Sequence, residues 1–181
     1  DPAYGGSGDT IGLAADEAKT IPLPFSFKYY GNWYNRISIC SDGYVAMDST
    51  WVADMYNWRI PAAGGPPLLI SPFWDDLDPN ATDSSGSVCY WHDGANHRFV
   101  VEHSRIQHIH DPTSPTPAEL QTFQVILYDP QYYATQTGDG EIVFQYQNIT
   151  NDDIWHNYAS VGIEDYYHTT GIEYTYANTY P

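Results

Sequence analysis

The densest set of chemistry-bearing side chains lies in Trp74-Asp75-Asp76-Leu77-Asp78-Pro79-Asn80. Hard cations such as calcium take about six to eight oxygen ligands, and alternate carboxylates such as Asp76 and Asp78 can converge on one ion. Asp75, Asp76 and Asp78 are therefore a candidate calcium site. The run lacks the Asp-x-Asp-x-Asp-Gly spacing and closing Glu of an EF-hand. The same side chains would equally serve to cap main-chain N–H groups and hold the loop. A pair of carboxylates could also serve glycoside hydrolysis. Asp75 and Asp76 are adjacent, however, and on a strand would point to opposite faces. Glu102 and Glu141 fall in separate strand-like runs with no motif joining them.

His103, His108, His110 and Asp111 raise a second metal reading. His108 and His110 would share one face of a strand, as ligating pairs can, whereas His103 needs a bend to join them. The competing reading is strand histidines that bind nothing. Tyr132, Tyr133, Tyr166, Tyr167 and Trp33 are candidates for contact with a partner chain or a sugar ring, because exposed aromatics suit both. No serine sits in a nucleophile elbow and no Gly-rich phosphate loop is present. A non-enzymatic role is expected. Asn80-Ala81-Thr82 and Asn148-Ile149-Thr150 fit the glycan acceptor pattern.

The elements that must hold these residues are strands. Apolar and aromatic residues alternate over 21–27 and 34–40, and 44–47 follows a turn at Ser41-Asp42-Gly43 in which Asp42 would accept positive φ. A buried run, 68–74, leads into the acidic loop. Further strands are expected over 87–91, 98–103, 121–128, 141–146, 159–164 and 171–176. His92-Asp93-Gly94-Ala95-Asn96 and Gly138-Asp139-Gly140 mark hairpins. Residues 50–67 form a long aromatic loop, and 112–117 a stiff Pro-rich one. About ten short strands with frequent turn signals predict an all-β, antiparallel, jelly-roll-like β-sandwich with long aromatic and acidic loops. A single domain over 1–181 is expected, with 1–20 as a strap or edge segment and 21–176 as the core module.

The chain carries 17 Asp and 6 Glu against six Lys and Arg, for a formal charge of −17. Such a surface repels nucleic acid and anionic membranes. The charge does not signal disorder, since 6 Trp, 17 Tyr and 6 Phe supply ample core. No segment approaches the roughly 18–20 apolar residues of a membrane-spanning helix. The opening Asp1-Pro2 suggests a processed or trimmed form. Cys40 and Cys89 each sit in a strand-like run. As a disulfide they would close a loop of about 50 residues, worth roughly 4 kcal/mol on the chain-entropy model. As separate thiols they would be core residues. The disulfide is the expectation for an extracellular chain.

The order LPFSFKYYGNWYNRISICSDGYVAM, SPFWDDLDP, GSVCYW, RFVVEH, TFQVILYD, GDGEIVFQY, ASVGIED resembles a secreted bacterial β-sandwich module. That module accompanies surface peptidases and sorting-domain proteins, and is distantly similar to the extracellular domain of nidogens. The resemblance covers roughly residues 20–176 and implies a fold and a secreted or cell-surface location, but no activity. Similar modules continue past the position of Tyr176 into one more apolar strand, so an open sheet edge is expected here. An open edge is a pairing site for another chain. The expected role is adhesion or assembly with other protein chains, as in a surface filament joined by strand complementation. A carbohydrate-binding accessory module is the alternative, and a hydrolase the remaining one.

Overall fold

The computed structural model describes residues 8–81, 86–108, 120–151 and 158–180. It is an all-β sandwich of two antiparallel sheets. The first sheet carries β1 (Asp9–Thr10), β7 (Ser87–Asp93), β8 (Arg98–His108), β9 (Leu120–Tyr128) and β10 (Ile142–Asn148) in that order, with β6 (Leu77–Asp78) paired to β8. The second runs β12 (Gly171–Thr175), β11 (Ser160–Glu164), β5 (Leu69–Trp74), β4 (Val45–Met47), β3 (Asn32–Cys40) and β2 (Ala18–Tyr29). Residues 8–17 pass from the first sheet to the second.

The period-2 rule explains which side chains meet. Ile37 and Ile39 of β3 face the first sheet and join Phe27, Tyr29, Val45, Ile70, Phe73, Val88, Val101, Phe123 and Val125 in the main core. Their neighbours Ser38 and Cys40 face the other way. There a second cluster forms from Cys40, Tyr44, Ile60, Leu69 and Trp74. The aromatic loop following β4 covers this outer face. It is pinned by Trp74 Nε1 donating to Asp54 O at 2.6 Å and by Tyr44 Oη donating to Val52 O at 3.1 Å. β5 is buried on both faces, which is why its sequence reads as one continuous run rather than an alternation.

The same parity corrects the expected disulfide. Cys40 and Cys89 are both buried free thiols. Cys40 lies on the outer face of the second sheet, where its Sγ donates to Asp42 Oδ2 at 3.3 Å. In β7, Val88 faces the core, so Cys89 turns to the outer face of the first sheet, 3.2 Å from Ser87 Oγ. With the whole sandwich between them, the two sulfurs have no bonding geometry.

His103 joins the two sheets. Its Nε2 donates to Cys40 O at 2.8 Å, and its ring stacks on Phe123 with centroids 4.8 Å apart. Burial pushes its pKa down to about 4, against the bond to the carbonyl, which favours the charged form.

Candidate functional site

Two places gather chemistry-bearing side chains: an acidic cluster at one pole of the second sheet, and an apolar groove along its side. The acidic cluster is built by three segments. The β3–β4 turn presents Asp42, and positive φ belongs to Gly43 (81°) rather than to Asp42 as the sequence suggested. A Cβ on Gly43 would run into the main-chain carbonyl of Phe73. That close approach lets Phe73 N donate to Gly43 O and Asp75 N donate to Asp42 O, both at 3.3 Å, so the end of β5 docks on the turn. On the other side, Glu17 N donates to Ser41 Oγ at 3.0 Å and Ser41 N donates to Glu17 O at 2.9 Å. This fixes the preceding turn, where Asp16 sits at φ 51°.

One carboxylate oxygen each from Asp16, Asp42 and Asp76 then lie within 4.8 Å of one another, the one such grouping among the described residues. Asp42 is fully buried and Asp76 nearly so, while Asp16 is exposed. Burial pushes the Asp42 carboxyl up to about 7, and the charges of Asp16 and Asp76 add to that rise. The Cys40 thiol and the Leu77 amide favour its charged form.

Of the three aspartates predicted as ligands, only Asp76 belongs to this group. Asp75 Oδ1 accepts from Asp76 N at 2.9 Å, and Asp78 Oδ1 accepts from Asn80 N at 2.7 Å. These are the loop-holding roles that such residues also suit. Asp16 and Asp42 were not singled out as candidate ligands in the sequence because they come from distant segments.

The histidine reading is not assembled by the described residues. His103 is committed to Cys40 O, and His108 Nδ1 lies 2.9 Å from Gln121 Nε2. Both histidines are buried, and His110 and Asp111 lie outside the described residues.

The predicted aromatic contacts gather at the opposite pole, where loops from both sheets meet. Gly31 N donates to Asp139 Oδ1 and Gly140 N to Lys28 O, tying the β2–β3 hairpin to the β9–β10 loop. Tyr132 stacks on His97 with centroids 3.4 Å apart, and Tyr133 Oη donates to Asn96 O at 3.1 Å. These two rings therefore pack the β9–β10 loop on the β7–β8 turn. Tyr166 and Tyr167 meet edge to face, and with Trp33 they remain largely exposed.

The groove was not among the sequence expectations, whose open edge was one left by a strand beyond Tyr176. It lies between β10 and the β11–β12 hairpin, has a volume of about 350 Å³, and is lined by Ile142, Phe144, Val161, Ile163, Ile172 and Tyr174 among others. Ile172 and Tyr174 are 65% and 58% exposed. A smaller hollow continues it past Tyr146, whose Oη donates to Pro72 O at 2.7 Å and closes the sandwich at that point.

β10 is an edge strand. Tyr128 N donates to Glu141 O at 3.1 Å, and Glu141 stands opposite Tyr128 in the register. By antiparallel alternation, Val143 and Gln145 also bond to β9. The main-chain groups of Ile142, Phe144 and Tyr146 therefore face the open edge. Ile142–Asn148 reads IVFQYQN, without proline or charge, and its pairing with β9 is regular up to a register shift between Tyr146 and Asn148. The opposite edge of the second sheet, β2, carries Pro22 and Pro24.

No curated protein and no solved structure matches the chain. The family model described as NIDO related matches residues 3–181 and points to an extracellular domain. Because that match takes in almost every residue, the chain belongs to the NIDO-related family.

Proposed function

We propose that this domain is a non-catalytic assembly or adhesion module of a secreted or cell-surface protein, and that it takes up an extended segment of another polypeptide alongside β10. The observation that carries this reading is the coincidence of an uncharged, proline-free edge strand with an apolar groove lined by its own Ile142 and Phe144. A strand laid on β10 would satisfy the outward main-chain groups of Ile142, Phe144 and Tyr146. Its alternate side chains would fall into the groove between the sheets. The chemistry of the partner follows: an extended segment with apolar residues at every second position and little negative charge. In a chain of charge −17, a second copy could approach only through such a neutral strip.

A soluble ten-residue peptide alternating Ile or Val with Thr and Lys serves as the probe, with a scrambled peptide of equal composition as control. Calorimetry should give saturable one-to-one binding of the alternating peptide, abolished by Phe144→Lys. Concentration-dependent self-association that the peptide blocks would identify the natural occupant as a second copy. Equal binding of both peptides, or none by either, would refute the proposal. Hits on a glycan array that depend on Trp33, Tyr166 and Tyr167 would favour the carbohydrate-binding alternative instead.

A further inference from the structure

We infer that Asp16, Asp42 and Asp76 form a binding site for a divalent cation of the calcium class. The three carboxylates arrive from three separate segments, and each offers an oxygen within 4.8 Å of the others. Two oxygens on opposite sides of a calcium ion, each at about 2.4 Å, would be separated by about that same span.

The second observation is the state of Asp42. Its side chain is fully buried, and Oδ1 has no hydrogen-bond partner. Oδ2 accepts the weak Cys40 thiol donor at 3.3 Å, and the Leu77 amide also favours the charged carboxyl, but neither relieves Oδ1. No Lys or Arg among the described residues forms an ion pair with Asp42. A buried carboxylate with one oxygen lacking a donor and two more carboxylates beside it is costly as it stands. A cation held between the three removes that cost. Asp16, exposed on its turn, would be the entry side and leave room for the water ligands that calcium keeps.

The site lies at the pole that joins the end of β5 to the β3–β4 turn and to the strap leading into β2. An ion there would fasten those three segments together. It requires nothing of the groove and stands independently of the proposed partner.

Thermal unfolding of the full chain after chelator treatment, with and without millimolar calcium chloride, is the test. Calcium should raise the melting temperature of the native sequence by several degrees. Asp42→Asn should abolish the response while leaving the chelated protein as stable as the parent or more so, since a buried charge has been removed. Asp16→Asn, on an exposed turn where misfolding is not a concern, should weaken calcium binding at least about tenfold by calorimetry. Asp78→Asn should keep the full response. The inference is overturned if calcium leaves the native sequence unmoved, or if Asp16→Asn and Asp42→Asn respond as fully as the parent.

Discussion

Acidification should loosen the sandwich through one residue, His103. At neutral pH its ring is uncharged, stacked on Phe123, and bonded through Nε2 to Cys40 O across the interface of the sheets. Its pKa lies near 4 in the fold, against an ordinary value of 6.5. In the unfolded chain it takes up its proton near pH 6.5. Between these values the unfolded state binds more protons, so stability falls as pH drops from about 6.5 and the loss is complete near 4. A gap of about 2.5 pH units at roughly 1.4 kcal/mol each corresponds to about 3 kcal/mol. Domains of this kind are stable by only about 5–15 kcal/mol, so the loss is a large fraction of the total.

His103→Gln removes the titration while retaining an N–H that can reach the carbonyl. Urea unfolding of both proteins from pH 4 to pH 8 isolates the effect, because carboxylates that titrate in the same range are common to both and cancel in the difference. The native protein should lose about 3 kcal/mol relative to the variant between pH 7 and pH 4. A difference that stays flat across that range would refute the reasoning.

Gly43→Ala should destabilise the fold by roughly 2–5 kcal/mol, because it adds a Cβ at positive φ and drives it into the Phe73 carbonyl; a thermal scan showing no loss would contradict the docking of the turn on β5. Both cysteines should react with a thiol reagent only after unfolding, and a reducing agent should leave the melting temperature unchanged. A reductant-induced drop of several degrees would mean that the sulfurs are bonded.

The strands were legible because their signals are local. Alternation over 34–40 and 121–128, together with the turns at Asp42-Gly43 and Asp93-Gly94, is written within a few residues of each element. The failed disulfide shows where local signals end. Strand parity already placed Cys40 opposite in face to Ile39, and Cys89 opposite to Val88, but nothing local assigned the two strands to different sheets. The acidic site divides in the same way. Asp75 and Asp78 serve their own loop, as their spacing allowed, whereas Asp16 and Asp42 reach Asp76 only through tertiary contacts. For the groove, the sequence held one usable hint in the uncharged, proline-free run of β10. That a strand forms an edge depends on what pairs beside it, and the order of strands in a sheet is not encoded in any single run.

Amide hydrogen exchange along β10 addresses strand addition most directly. In the isolated domain, the amides of Val143 and Gln145 should be protected by β9 while those of Ile142, Phe144 and Tyr146 exchange freely. Adding the alternating Ile/Val–Thr/Lys peptide should slow exchange at Ile142, Phe144 and Tyr146. Protection that appears instead at the loops carrying Tyr132 and Tyr166, with those three amides unchanged, would contradict the account.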